Sequence, residues 1–130
     1  MKRILLLQAV LASTAAFSQY STPRPIEVME LSGLSGVAVA DFNGDGANDV
    51  VASGSGLLDA IVMYLNDGGG NFSDAILVDE ASYLNHPIEV MAGDVDGDGD
   101  ADVIGVETYT RAFLHRNDGT GLFELAPFGH

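Results

Sequence analysis

The chain has no cysteine and no tryptophan, and only 5 of its 130 residues are lysine or arginine. The missing cysteines exclude a disulfide framework, thiolate metal sites, a cysteine nucleophile and lipid attachment through cysteine. The shortage of cations matters more, because 19 aspartates and glutamates leave a formal charge of −14. A surface this acidic repels phosphate backbones, which excludes nucleic acid as a partner. Beyond one stretch at the N-terminus, no apolar run approaches the ~20 residues of a spanning helix, so no membrane span is expected. What the chain has in excess is glycine, at 16 residues. That points to many tight turns rather than long helices. With 47% apolar residues the chain is too hydrophobic for disorder, and its length suits one domain.

Residues 1–18 read as a secretory signal peptide. Lys2 and Arg3 form a positive start, Ile4 to Leu11 is apolar but for Gln8, and Ala16-Phe17-Ser18 supplies a small-x-small cleavage site. Thr14-Ala15-Ala16 offers a second cut. The apolar stretch is too short to serve as a membrane anchor. The mature chain, 19–130, is therefore expected to be secreted: extracellular, periplasmic or at the cell surface. Cleavage leaves Arg24, Arg111 and Arg116 as the only Lys or Arg residues against the same 19 acids.

The body of the chain is written twice. Val37-Ala38-Val39-Ala40-Asp41-Phe42-Asn43-Gly44-Asp45-Gly46-Ala47-Asn48-Asp49-Val50-Val51 returns as Val90-Met91-Ala92-Gly93-Asp94-Val95-Asp96-Gly97-Asp98-Gly99-Asp100-Ala101-Asp102-Val103-Ile104, 53 positions later. Asn66-Asp67-Gly68-Gly69-Gly70-Asn71-Phe72 returns as Asn117-Asp118-Gly119-Thr120-Gly121-Leu122-Phe123, 51 positions later. Two motifs recurring in one order at nearly one period of about 50 residues indicate a repeat array such as propeller blades. Each copy parses into four short strands: 37–40, 48–52, 59–65 and 72–78, then 88–92, 102–107, 109–116 and 122–125. The turns at Asn66-Asp67-Gly68 and Asn117-Asp118-Gly119 are hairpin turns. No apolar period of 3.6 residues is sustained outside the signal peptide. The fold class is all-β, with blade 1 over about 33–85 and blade 2 over about 86–130. The pentapeptide Pro-Ile-Glu-Val-Met occurs at 25–29 and 87–91, out of step with the main period.

The acidic loops share the spacing D-x-[N/D]-x-D-G-x-x-D. Asp41, Asn43, Asp45 and Asp49 occupy positions 1, 3, 5 and 9 of one, and Asp94, Asp96, Asp98 and Asp102 those of the other. Gly46 and Gly99 stand at position 6, where the chain must reverse. Alternate positions aim oxygens into one concavity, and the carbonyls of Ala47 and Asp100 can close it at position 7, with the Asp100 side chain in solvent. The donor set is all hard oxygen, with no histidine or cysteine close by in sequence, which selects Ca²⁺ over zinc or copper. Six or seven flexible ligands suit Ca²⁺ better than the tighter octahedron of Mg²⁺. Two carboxylates ~4 Å apart repel by about 4 kcal/mol at an effective dielectric near 20, so a loop of several calls for a cation. Two calcium sites are expected. A helical EF-hand loop needs an acid at position 12, where this chain has Ala52 and Gly105. The Val-rich flanks favour strands.

With VAVADFNGDGANDVV followed by YLNDGGGNF, and VMAGDVDGDGDADVI followed by LHRNDGTGLF, the chain resembles the FG-GAP-like, or VCBS-type, repeats of integrin α-subunit heads and many secreted bacterial proteins. The resemblance spans about residues 33–125, without a literal Phe-Gly-Gly-Ala-Pro. It implies two four-stranded antiparallel β-propeller blades with Ca²⁺ between the first two strands of each. It also carries ligand roles onto Asp41, Asn43, Asp45, Asp49, Asp94, Asp96, Asp98 and Asp102. Propellers close with about 4–8 blades, so the chain is expected to be a fragment of a longer propeller, with self-association as the other route to closure. The expected function is calcium-dependent adhesion or binding of an extracellular glycan or protein, with Tyr64, Tyr83 and Tyr109 as candidates to stack on sugars. The alternative is a scaffold appended to a hydrolase or lyase domain absent from this chain. Catalysis by the chain itself is not expected. His86, His115 and His130 have no serine or aspartate at a recognisable spacing and read as surface or turn residues.

Overall fold

The computed structural model describes residues 26, 33–55, 59–80, 87–107 and 111–126. The signal peptide, Tyr83, Tyr109, His86 and His130 lie outside the described residues, as does the first Pro-Ile-Glu-Val-Met apart from Ile26. The described residues form eight strands and no helix, and so none long and apolar enough to cross a membrane. They are β1 (Gly33–Ala40), β2 (Asp49–Ser55), β3 (Ala60–Tyr64), β4 (Ile76–Glu80), β5 (Pro87–Gly93), β6 (Asp102–Glu107), β7 (Ala112–Asn117) and β8 (Phe123–Ala126). The first four make one sheet in the order β1-β2-β3-β4, and the last four a second in the order β5-β6-β7-β8. All pairs are antiparallel, as in two blades of a propeller.

Register decides what each face carries, because directly paired residues point the same way. Ala38, Val51, Met63 and Ile76 are paired in a row across the first sheet, and Val37, Ala52, Val62 and Leu77 form the row on its opposite face. In the second sheet, Ala92, Val103, His115 and Leu125 make one row, and Met91, Ile104, Leu114 and Ala126 the other. The Val51 face of the first sheet packs against the Val103 face of the second. Phe42, Val51, Ile61, Met63, Val90 and Val103 form the core between them, each no more than 4% exposed. Such side chains contribute about 1.5–3 kcal/mol apiece on full burial, so this layer holds the sheets together. On the outer face of the first sheet, Ala52, Ala60, Val62 and Tyr64 form a smaller cluster, with Ile26 and Phe72 against it.

Two expectations are corrected here. Tyr64 is 2% exposed in that outer cluster, and burial raises its hydroxyl above the usual tyrosine range, so it does not offer a ring to a sugar. It is paired with Val50 and buried among Ala52, Ala60, Val62 and Phe72 on that outer face. His115 is not a surface or turn residue. It is 1% exposed in β7, with Nε2 3.4 Å from Oδ2 of Asp79 in the first sheet. Burial pushes the His115 imidazole below its ordinary value of 6.5 and outweighs the opposing pull of the Asp79 carboxylate. An unfolded histidine therefore takes a proton at higher pH than the folded one. Its contribution to stability is complete above about pH 6.5 and is lost as pH falls through the lower folded value. Urea midpoints in EDTA should thus drop between pH 7.5 and 5.5, and His115→Gln should flatten that drop. A variant as pH-sensitive as the parent would contradict the assignment.

Candidate metal centres

Each acidic loop connects the first two strands of its sheet, β1 to β2 and β5 to β6, and its position-1 aspartate organises the backbone. Asp41 Oδ1 accepts the amides of Gly44 at 2.8 Å and Asp45 at 3.1 Å, while its Oδ2 accepts that of Gly46 at 2.8 Å. Asp94 does the same with the amides of Gly97 at 2.7 Å and Gly99 at 3.1 Å. The reversal needs a left-handed residue at position 6, supplied by Gly46 at φ +88° and Gly99 at φ +99°.

The structure brings some of the expected ligands together and leaves others out. In the second loop, carboxylate oxygens of Asp94, Asp96 and Asp102 all lie within 4.8 Å of one another. Asp98 and Asp100 are not in that group. Asp98 points at the backbone, accepting the Asp100 amide at 2.9 Å. The Asp100 carboxylate lies against Gly119, where a Cβ would meet Oδ2 at 2.6 Å. In the first loop Asn43 stands where Asp96 does, and its Nδ2 donates to Asp45 Oδ2 at 2.9 Å. The Ala47 amide donates to Asp45 Oδ1 at 2.8 Å.

Position 9 behaves differently from the rest. Asp49 and Asp102 are fully buried. Asp49 accepts the Phe42 amide at 3.0 Å on one oxygen and the Asn66 amide at 2.8 Å on the other. Asp102 accepts those of Val95 and Asn117, both at 2.9 Å. Each therefore ties the start of its loop to the distant hairpin turn, besides any part in holding a cation.

The donor chemistry fits calcium. A Ca–O distance of about 2.3–2.6 Å places ligands on opposite sides of the ion roughly 5 Å apart, which matches the spread of the aspartate trio. A carboxylate oxygen has two lone pairs, so accepting an amide does not use it up. Like charges also crowd the second loop. The Asp100 carboxyl is raised above the usual range, first by desolvation and then by the charges of Asp98, Asp94, Asp118 and Asp102. Among the described residues, a cationic side chain reaches the loop: Arg116 Nε lies 3.5 Å from Asp96 Oδ2.

The asparagines of the hairpin turns do more than the turn reading requires. Asn66 Oδ1 accepts the amides of Gly68 and Gly70, and Asn117 Oδ1 those of Gly119 and Gly121. Asn117 Nδ2 also donates to Ala101 O at 3.0 Å and, across the sheet interface, to Phe42 O at 2.7 Å. The duplicated Asn-Asp-Gly and the apolar residue at position 2 of both loops were the available signals for this contact.

No curated protein and no solved structure matches the chain. The family model of the FG-GAP-like repeat matches residues 41–105, half of the chain, running from position 1 of the first loop past the end of the second. By its sheets, its twin loops and this match, the chain belongs to the FG-GAP-like repeat family.

Proposed function

We propose that this chain is a secreted, calcium-binding β-propeller repeat module that binds an extracellular glycan or protein. The observation that carries the calcium reading is the convergence of Asp94, Asp96 and Asp102 oxygens within 4.8 Å, in a loop whose motif recurs in the preceding sheet. Asp41, Asn43, Asp45 and Asp49, with the Ala47 carbonyl, would hold the first ion. Asp94, Asp96, Asp98 and Asp102, with the carbonyl of Asp100, would hold the second. Bound there, the ion offsets the crowded carboxylates and stiffens the rim of each sheet, where a ligand could meet a preformed surface. Export is supported by the charge and hydropathy pattern of residues 1–18. The FG-GAP-like repeat is a structural and binding repeat, which favours recognition over catalysis.

Burial of Tyr64 favours a second reading, since it removes one of three aromatic candidates for sugar contact. In that reading the module is a structural scaffold for a hydrolase or lyase domain. Pull-down on glycan or protein arrays separates the two, because only the binding reading requires capture that EDTA abolishes.

The metal is tested first. With affinities of about 10⁻⁴–10⁻³ M, 10 mM calcium should raise stability by about 1–3 kcal/mol per occupied site, and calorimetry should count two ions. Asp96→Ala should leave one. Melting curves that coincide in calcium and in EDTA would refute the sites.

A further inference from the structure

The contact between the two sheets is head to tail: the Val51 face of one meets the Val103 face of the next. Repeat equivalence therefore identifies its unused halves. Val37 and Val39 stand at the positions of Val90 and Ala92, yet they are 53% and 56% exposed, whereas Val90 is 4% exposed. Val95 stands at the position of Phe42 and is 45% exposed, whereas Phe42 is fully buried with its ring edge-on to Phe123, centroids 5.9 Å apart. Met91, at the position of Ala38, is 45% exposed.

The glycines show the same asymmetry. In the formed contact, a Cβ on Gly44 would lie 3.3 Å from Gly119 O, and one on Gly121 would lie 3.3 Å from Met63 Cε. Their counterparts Gly97 and Gly70 meet nothing within 4 Å. Asn66 donates to Asn48 O just as Asn117 donates to Ala101 O. The second acceptor that Asn117 finds in Phe42 O would be Val95 O of another unit.

We infer that the Val37–Val39 face of one copy of this chain receives the Met91–Val95 face of a second copy, repeating between molecules the contact made within each. The occupant is a second copy because the exposed β1 and β5 positions are the two halves of a contact the chain already makes, while Ala52, Val62 and Leu114 farther across these faces are already buried. Such a heterologous join leaves a free half at each end, so it propagates until a ring closes.

Side chains at the join complement each other. Ile26 lies on the outer cluster against Ala52 and Val62. These are the counterparts of Gly105, which meets Ile61 in the formed contact, and of Phe113, which packs on the same core. The incoming sheet has Ala112 at the position of Ile61, and so leaves the space that Ile26 fills. One difference loosens the join. Glu89 stands at the position of Gly36, so the closest backbone approach of the internal contact is not copied. A reversible, concentration-dependent assembly follows.

The inference rests on the blade reading of the sheets and not on calcium, so the experiment is run in both calcium and EDTA. Loss of calcium uptake with assembly intact would then fault the metal sites alone. Sedimentation of the purified protein at tens of micromolar should give at least twice the monomer mass. Val39→Glu and Met91→Glu each change an exposed side chain and should each yield monomers alone. Mixed, they should pair one to one, since each retains the half that the other lacks. A parent monomeric in both buffers, with Ile26 and its neighbours capping the face internally, would overturn the inference. So would a symmetric dimer that survives either variant, or a mixture that stays monomeric.

Discussion

Replacing Asp102 by alanine is expected to cost about 3 kcal/mol of folding stability in EDTA, where no bound metal can contribute. Both carboxylate oxygens are committed to backbone amides, those of Val95 and Asn117, each at 2.9 Å. The side chain is fully buried, and the Asn117 amide lies in the same closed region, so no water replaces the lost acceptor. An amide left unpaired in that setting costs about 1–3 kcal/mol, and hydrogen bonds to a charged acceptor lie at the upper end of the usual range. Asp102→Asn should cost less, because one oxygen survives while an NH₂ group confronts the other amide. Asp49→Ala should follow Asp102→Ala, since Asp49 holds the amides of Phe42 and Asn66 in the same way. Urea unfolding of the alanine variants measures the effect. A loss below about 1 kcal/mol in EDTA would show that position 9 is a ligand only and not the anchor of the loop. Against a typical total of about 5–15 kcal/mol, the expected loss is large enough to read without ambiguity.

That double duty marks the boundary of what the sequence could tell. Spacing identified Asp49 and Asp102 as acids at position 9, because a loop motif is local and its period is visible. One of the two amides that each holds belongs to a hairpin turn 15 or more residues away, and no local pattern announces it. Strands were legible to the same degree. The 102–107 strand has the expected bounds, since Val103 to Val106 is apolar and closed off by the acidic loop. β1 begins four residues before the expected 37, because Gly33, Ser35 and Gly36 carry no alternation. They join the sheet through a bulge between Leu34 and Gly36. β4 begins at Ile76 rather than 72, since Phe72 makes only an isolated bridge to Asn66. The sheet interface was the least legible part. His115 reads as an ordinary polar residue until Asp79 is placed beside it. Asn117 reaches Phe42, 75 positions earlier, through an atom that the turn itself does not require.

The same interface sets the second large effect, at a residue with no side chain. Gly36→Ala is expected to destabilise the protein by about 3 kcal/mol, while Gly105→Ala, at a more buried position of the same contact, should cost about 1 kcal/mol. A Cβ on Gly36 would lie 2.7 Å from Val90 N, 2.9 Å from Glu89 Cα and 2.8 Å from Ser53 Oγ. Two of these atoms are backbone of β5, which cannot turn aside without dragging its pairing with β6. The innermost strands of the two sheets would have to separate, opening the Val51–Val90–Val103 core. A Cβ on Gly105 meets only Ile61 Cδ1, at 2.8 Å, and the far end of an isoleucine can rotate away. The contrast isolates backbone approach from side-chain crowding, because both variants add the same methyl group to the same layer. Urea unfolding of the pair at one pH and in one buffer reads it directly. Equal losses would mean that the sheets accommodate a methyl at β1 as easily as at β6, and that the close approach does not hold the two sheets in register.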